Sequence, residues 1–195
     1  MVKIGITGGI GSGKTLVGNL FSFFGVPVFN ADLEAKKILD SNIDVRAKLI
    51  STFGQSIYLP NHTIDRKKLA SLIFNNKYVL KQVNEIIHPE VRQTFLNWSE
   101  MQTTSVVLYE AAILFESGHY RNMDLNIVVV ADEEIRLKRV IRRDSVSMEQ
   151  VQQRMANQWK DEDKIGVSNF VIYNNGRELI IPQVLEILKM IKTDG

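Results

Sequence analysis

The chain contains no cysteine, and only three histidines and four prolines, among its 195 residues. Without thiols it cannot form disulfides, bind metal through thiolates or use a cysteine nucleophile. The histidines do not occur at the spacings of a metal site, and no serine, histidine and acid form a recognisable triad. No segment approaches the ~18 uninterrupted apolar residues that a membrane-spanning helix requires.

Charge of one sign is also scarce, since the net charge is +2 and the basic residues are dispersed along the chain. Such a weak balance gives no reason to expect a nucleic-acid partner. Glycines and Lys14 interrupt the N-terminus too early for a basic-then-apolar leader. We therefore expect a cytoplasmic protein with neither membrane nor nucleic acid as a partner, formed by one domain or one core with an inserted lobe.

The most informative segment is Gly8–Thr15, which matches G-x-x-x-x-G-K-[ST], the phosphate-binding P-loop. A strand-like run at Val2–Ile6 precedes it and a helix-like run at Leu16–Phe24 follows, which is the context that the motif requires. Glycines let backbone N–H groups converge on a phosphate, and the helix N-terminus adds positive potential. Lys14 is then expected to contact the β- and γ-phosphates, and the Thr15 hydroxyl to hold Mg²⁺.

Short apolar runs and helical runs alternate along the chain. The apolar runs predict buried parallel strands at Val2–Thr7, Pro27–Phe29, Ser105–Tyr109, Leu125–Ala131 and Phe170–Tyr173. Helical periodicity covers Leu16–Phe24, Leu33–Leu39, Val45–Phe53, Arg66–Phe74, Val79–Ile87, Glu90–Met101, Glu133–Arg143, Met148–Trp159 and Leu179–Lys192. This alternation predicts an α/β fold, a three-layer parallel sheet of about five strands. A new helix is expected to begin near Pro89, because proline suits a first turn and not a helix interior.

Residues 40–104 break this alternation, because several predicted helices follow one another there without a convincing strand. Such a block is either a lobe that covers the second substrate or a set of covering helices with no binding role. We predict a core at about 1–39, 104–138 and 167–195, a helical acceptor-binding insertion at about 40–103, and a lid at about 139–166.

Acidic residues follow two of the predicted strands. Asp32 comes after the second strand, at the edge where open parallel sheets bind ligands. It could accept a proton from an attacking hydroxyl, or cap the helix that follows, and the two roles are compatible. Glu110 and Glu116 follow the third strand and are either candidates to hold Mg²⁺ through water or acids of the kind that end many strands.

A basic helix follows the fourth predicted strand and carries five cations, Arg136, Lys138, Arg139, Arg142 and Arg143. Arg139 and Arg143 are four residues apart and share one helix face. The helix is either a lid that neutralises the charge of a triphosphate or a solvated face. Arg154, Lys160 and Lys164 lie farther along and are either further cations of that site or surface charges.

Other P-loop classes fit less well than a small-molecule kinase. A GTPase needs an N-K-x-D guanine motif, which is missing, and its D-x-x-G motif should follow a strand. Here Asp163–Gly166 spells D-x-x-G but follows a polar helical stretch. A small-molecule kinase needs a compact core, an acceptor lobe and an arginine lid, and each has a candidate.

Further motifs run in order over nearly the whole chain: IGITGGIGSGKT at 4–15, NAD at 30–32, FG at 53–54, IDRKKLA at 64–70, IHPEVR at 87–92, ILFE at 113–116, LKR at 137–139, RD at 143–144, Arg154 with Gln158, and FVIYNNG at 170–176. In combination they resemble the dephospho-coenzyme A kinases. Two departures from the family pattern are Glu110-Ala-Ala in place of Asp-x-Pro, and Asn169 in place of an acid before the last strand.

The resemblance implies ATP- and Mg²⁺-dependent phosphorylation of the ribose 3′-hydroxyl of dephospho-coenzyme A by a P-loop kinase core with an inserted helical acceptor domain and a helical lid. It implies Lys14, Asp32, Arg139 and Arg143 as catalytic residues, with Thr15 at the metal. Residues implied to bind ATP are Gly9, Gly11, Ser12, Gly13, Lys14, Thr15, Leu16, Asn175 and Gly176. Residues implied on the acceptor side are Asp32, Arg66, His88, Arg92 and Glu116. We expect a monomer or weak homo-oligomer. The alternatives are another small-molecule P-loop kinase and a non-catalytic nucleotide-binding switch.

Overall fold

A computed structural model describes residues 1–74 and 76–193. Its strands are β1 (Val2–Thr7), β2 (Val28–Asn30), β3 (Val106–Glu110), β4 (Leu125–Val130) and β5 (Phe170–Tyr173). Its helices are α1 (Lys14–Phe23), α2 (Ala31–Ser41), α3 (Ile43–Phe53), α4 (Arg66–Phe74), α5 (Lys77–Glu100), α6 (Glu133–Asp144), α7 (Met148–Ala156), α8 (Asp161–Gly166) and α9 (Ile180–Thr193). None of the helices within the described ranges is long and apolar enough to cross a membrane.

The strands form a five-stranded sheet in the order β2-β3-β1-β4-β5, with β1 at its centre. β1 pairs in parallel with both neighbours, so that Ile4 lies opposite Leu108 on one side and Leu125 on the other. The carboxyl end of β1 therefore opens in the middle of the sheet, and the glycine-rich loop continues from that point. The predicted α/β fold with about five parallel strands is confirmed.

The chain divides into two compact units, one formed by Met1–Phe29 together with the chain from Gln102 onward, and one by Asn30–Met101. The first unit contains the sheet. Alternate strand residues such as Ile6 and Ile127 pack on one face against Phe21 of α1 and Val184 of α9. The other face packs Val128 and neighbouring apolar side chains. Burial on both faces explains why the strands are mostly apolar, and each buried apolar side chain contributes about 1.5–3 kcal/mol.

The second unit is helical and is built around α5, in which Val83, Ile87, Val91 and Phe95 are all buried. Their four-residue spacing places them on one helix face. The expected restart at Pro89 is wrong, because α5 runs continuously from Lys77 to Glu100 with Pro89 inside it. Proline removes one helical hydrogen bond, and burial of the apolar face on both sides of it outweighs that cost. The boundaries predicted for the acceptor insertion and the lid stay predictions.

After α6 the structure differs from the sequence prediction in the end of one helix and in the presence of another. The helix predicted to reach Trp159 ends at Ala156, and the short helix α8, which was not predicted, follows it.

Asn169 fixes the start of β5, since its side-chain oxygen accepts a hydrogen bond of 2.8 Å from the Asn126 backbone N–H. An amide oxygen accepts this bond as well as a carboxylate would, so the position needs no charge.

Candidate active site

The glycine-rich loop ends where α1 begins, and Gly13 caps that helix. Gly11 and Gly13 have φ angles of 81° and 97°, which only glycine adopts without strain. No side chain caps the helix, and its first turn contains no acidic residue. The first N–H groups of a helix need partners, and the dipole favours an anion there. The loop therefore has the backbone of a phosphate site.

Lys14 lies on the first turn of α1 and folds back over the loop. Its ammonium donates a hydrogen bond of 2.9 Å to the Gly8 carbonyl oxygen. This contact places a positive charge over the start of the loop while the helix N-terminus faces its end. Ser12 is fully buried within the loop, and Leu16 on α1 is exposed. Both residues were predicted to bind ATP, and of the two only Ser12 is enclosed by the protein.

Thr15 and Glu110 form the polar centre of the site. The Thr15 hydroxyl donates a hydrogen bond of 2.8 Å to Oε1 of Glu110, which is 5% exposed at the end of β3. Oε2 of Glu110 faces Gly18, where a Cβ would stand only 3.3 Å from it. A hydroxyl beside a buried carboxylate at a phosphate site is the oxygen donor set that Mg²⁺ takes, usually with waters between. The residues present therefore fit the ion.

Arg139 and Asn174 support the P-loop through hydrogen bonds to its carbonyl oxygens and to each other. Nη2 of Arg139 donates to the Asn174 backbone oxygen at 3.0 Å and to its side-chain oxygen at 3.3 Å. Nδ2 of Asn174 donates to the Ser12 carbonyl at 2.7 Å, and Nη1 of Arg139 lies 3.4 Å from the Gly11 carbonyl. A Cβ on Gly13 would overlap the Asn174 amide. The geometry thus gives Arg139 a role in holding loop carbonyls, and adds Asn174, which the sequence argument passed over.

The other lid arginine of the prediction has a different environment. Arg143 is exposed and makes a bidentate pair with Asp144, at 2.7 Å and 3.1 Å. Arg154 of α7 donates to the same carboxylate at 3.0 Å. The two guanidinium groups lower the pKa of Asp144, with Arg143 the larger cause. Asp144 therefore joins α6 to α7, and the phosphate contact predicted for Arg143 stays a prediction.

A cavity of about 770 Å³ lies among α6, α7 and the segment after β5. It is lined by charged, aromatic and amide side chains, among them Arg136, Trp159, Asp161 and Asn175. Asn175 also accepts a hydrogen bond from the Arg177 backbone N–H, and Gly176 has a φ of 83°. Asn175 lines this cavity, and the adenine contact predicted for Asn175 and Gly176 stays a prediction.

Glu116 belongs to a buried ion pair. Its Oε1 lies 3.2 Å from Nζ of Lys164, which is 0% exposed, and accepts a hydrogen bond of 2.8 Å from the Trp159 backbone N–H. The interpretation of Lys164 as a surface charge is therefore wrong. A buried charge is costly unless it is paired. Glu116 accordingly fixes the start of α8, while Glu110 is the carboxylate beside Thr15.

Gln158 connects the loop with the segment that follows β3. Its side-chain oxygen accepts a hydrogen bond of 2.8 Å from the Ile10 backbone N–H. Its side-chain nitrogen donates at 3.0 Å to the Ala112 carbonyl. Gln158 thus fixes the tip of the P-loop relative to the end of α7.

Asp32 lies in the first turn of α2, immediately after β2. Asn30 is the N-cap, because its side-chain oxygen accepts a hydrogen bond of 2.9 Å from the Leu33 N–H. The capping interpretation of Asp32 is therefore wrong. A carboxylate in a first turn is still favoured by the helix dipole. Asp32 therefore does not cap α2, and its part as a base stays a prediction.

The remaining predicted residues belong to the helical unit. Arg66 at the start of α4 donates a 2.6 Å hydrogen bond to Asp40 of α2. His88 and Arg92 lie one turn apart on α5, so their side chains share a face. Burial, and next the Arg92 charge, lower the pKa of His88 below its usual value. His88 is thus favoured in its neutral form beside a cation.

Comparison with known proteins identifies the relatives of this chain. The family model of dephospho-CoA kinase matches residues 2–179. A dephospho-CoA kinase of Bacteroides fragilis strain YCH46 is 39% identical over 188 residues, which is 96% of this chain and 91% of that protein. One of Porphyromonas gingivalis is 39% identical over 195 residues, covering 99% and 96%. The solved dephospho-CoA kinase of Campylobacter jejuni superposes with a TM-score of 0.71 at 28% identity, over 98% of each chain. The resemblance predicted from the motifs is confirmed, and the chain belongs to the dephospho-CoA kinase family.

Proposed function

We propose that this chain transfers the terminal phosphoryl group of ATP to the ribose 3′-hydroxyl of dephospho-coenzyme A and so forms coenzyme A. The observation that carries the proposal is the P-loop: a helix N-terminus that no side chain caps, Lys14 folded over the loop, and Thr15 bonded to Glu110. Membership in the family adds the identity of the acceptor.

Each part of the loop is proposed to act on the triphosphate in a different way. The first N–H groups of α1 bind phosphate oxygens, and Lys14 binds the β- and γ-phosphates in place of the Gly8 carbonyl. Thr15 and Glu110 are the residues that would hold Mg²⁺. When bound, Mg²⁺ would neutralise charge on the β- and γ-phosphate oxygens. Asn174 and Arg139 keep the loop carbonyls turned away from those anions.

Asp32 is proposed as the group that accepts the proton from the 3′-hydroxyl, or orients that hydroxyl for in-line attack. Support comes from its position in the first turn after β2, at the strand edge where such sheets bind ligands. Arg66, His88, Arg92 and Glu116 are proposed for the acceptor side, and Arg143 for a phosphate contact. We further propose a cytoplasmic monomer or weak homo-oligomer.

The test is mass-spectrometric detection of the product after incubation with ATP, Mg²⁺ and dephospho-coenzyme A. The matched control acceptor is dephospho-coenzyme A that lacks the 3′-hydroxyl, and the matched control protein is Lys14→Ala. Coenzyme A formed only by the unmodified chain and only from the hydroxylated acceptor supports the proposal. Phosphorylation of a different alcohol indicates another small-molecule kinase, and nucleotide binding without transfer to any acceptor indicates a switch.

A further inference from the structure

Arg136 of α6 lies directly against the P-loop. A Cβ built on Gly9 would overlap Nη1 of Arg136, and one on Gly11 would stand 2.6 Å from the Arg136 carbonyl oxygen. The side chain is only 11% exposed. Glycine at these loop positions therefore leaves the space that the arginine occupies, and the guanidinium touches the loop that binds phosphate.

The guanidinium is incompletely satisfied by the protein. Its Nε is buried and has no hydrogen-bond partner within the described residues. Its one ion pair in that part of the chain, Nη2 with Asp161, is long at 3.5 Å. A guanidinium offers five N–H donors, and a buried donor without an acceptor is costly. Arg136 also lines the 770 Å³ cavity, so the residue that carries this unpartnered donor borders space that a ligand can enter.

The position along the loop indicates which phosphate is involved. The ammonium of Lys14 contacts Gly8, and the lysine of this motif binds the β- and γ-phosphates. Arg136 contacts the next residue along the loop, Gly9. The N-terminus of α1, which would bind the phosphates nearer the ribose, lies farther along the loop, where Gly13 is the N-cap. Lys14 and Arg136 thus place two positive charges on neighbouring peptide units at the terminal-phosphate end of the loop.

The neighbouring arginines of α6 are either engaged elsewhere or exposed. Arg139 donates to Asn174 and approaches the Gly11 and Ser12 carbonyl oxygens. Arg143 is paired with Asp144. Arg142 is exposed. Among these four, Arg136 alone combines burial, contact with the start of the P-loop and a border on the cavity.

Resting on the proposed function, we propose that Arg136 binds the γ-phosphate of ATP and makes the site discriminate ATP from ADP. A guanidinium binds phosphate oxygens with paired N–H donors, and such charge-assisted bonds are the strong ones. An arginine that only braced the loop would serve ATP and ADP equally. The contact therefore predicts selectivity for the triphosphate and not merely affinity for nucleotides.

The test compares the dissociation constants of ATP and ADP by calorimetry, with MgCl₂ and without an acceptor. For Arg136→Gln we expect ATP to bind about 10-fold more weakly or worse, and ADP to change by less than about 3-fold. Arg136→Lys, which keeps the charge, should recover part of the ATP affinity. The matched control is Arg142→Gln, an exposed arginine on the same helix, which should leave both constants unchanged.

Equal losses for ATP and ADP, or no loss for either, would overturn the proposal and leave Arg136 as a structural brace. Should Arg136→Gln fail to fold, the ratio of the ATP and ADP dissociation constants of Arg136→Lys provides the same test. The unmodified chain separates this proposal from the proposed function. If it binds ATP more tightly than ADP through Arg136 but does not phosphorylate dephospho-coenzyme A, the function fails and the γ-phosphate contact stands.

Discussion

The Thr15 hydroxyl donates a 2.8 Å hydrogen bond to the buried carboxylate of Glu110, which joins the P-loop helix to the end of the neighbouring strand. The bond distinguishes between the two carboxylates that the sequence offered for the metal. Glu116, the other candidate, is bound to Lys164 and to the Trp159 N–H. Glu110 is therefore the carboxylate beside Thr15, and the magnesium role proposed for that pair can be tested by substitution.

The first prediction concerns that carboxylate. Glu110→Gln keeps an oxygen that accepts from Thr15 but removes the charge, so the Mg²⁺ concentration for half-maximal activity should rise by roughly 10-fold or more. Glu116→Gln is the comparison, and should lower the midpoint of thermal unfolding without moving the Mg²⁺ requirement. Magnesium titrations of initial rate measure both. If only Glu116→Gln raised the Mg²⁺ concentration for half-maximal activity, Glu116 and not Glu110 would be the carboxylate that acts on the metal.

The second prediction tests the loop lysine. Lys14→Ala should lower kcat by at least about 10²-fold, because a charge that meets the transferring phosphoryl group is lost. Lys48→Ala replaces an exposed lysine of α3 and should leave kcat unchanged. Initial rates at saturating ATP provide the measurement. Turnover of Lys14→Ala close to that of the unmodified chain would contradict the proposed site.

The third prediction separates catalysis from helix capping at the start of α2. Asp32→Asn should lower kcat by ~10²–10⁴-fold, as expected for a general base, with little change in the KM for ATP or in thermal stability. Asn30→Ala removes the observed cap and should cost about 1 kcal/mol of stability. Rates and melting curves are recorded for both variants. If Asp32→Asn loses stability in step with activity, its role is structural.

The fourth prediction concerns the support of the P-loop by Arg139 and Asn174. Arg139→Ala and Asn174→Ala should each weaken ATP binding, because each removes support from the same loop carbonyls. The effects should be non-additive, with an interaction energy of about 0.5–3 kcal/mol in a double-mutant cycle. ATP dissociation constants of the two single variants and the double variant give that energy. Strict additivity would show that Arg139 acts on the nucleotide independently of Asn174.

The fifth prediction follows from the lowered pKa of His88, caused first by burial and then by Arg92. The unfolded chain takes up a proton near pH 6.5, while folded His88 resists it to a lower pH. The free energy of unfolding should therefore fall as the pH drops below about 6.5, and be unaffected by this group above it.

Denaturant titrations at pH 8 and pH 5 measure that difference. His88→Gln should show a smaller loss of stability between the two than the unmodified chain. His62→Asn, a change at an exposed histidine of the same unit, is the control and should retain the full loss. An identical loss in His88→Gln would show that other groups set the acid sensitivity.

The sequence predicts well what depends on local chemistry. β1 and β5 have the predicted ends, because runs such as Val2–Thr7 are mostly apolar and bounded by residues that leave a strand. The P-loop is predicted for the same reason, since glycine spacing and flanking elements are both written in a short segment. Asp32 marks the limit of this reasoning: Asn and Asp both cap helices, and only the geometry shows that Asn30 does so.

What the sequence does not show depends on distant partners. Lys164 looks like a surface charge until β3 and the segment after it bring Glu116 to it. Arg136 belongs to a basic helix of which other members are exposed, and its burial follows from contact with Gly9. The continuation of α5 through Pro89 depends on apolar packing from Val83 to Phe95, which outweighs a local preference of ~3 kcal/mol.

The central position of β1 has a consequence for how the chain acquires its structure. Val2 pairs with Val106, and Thr7 with Val128, so the first strand has no neighbour until much of the chain has been synthesised. Contacts of such long sequence separation form slowly, whereas the helices within Asn30–Met101 contact one another locally. During translation the helical unit can therefore become ordered first, and β1 has both of its neighbouring strands only when β4 has emerged from the ribosome.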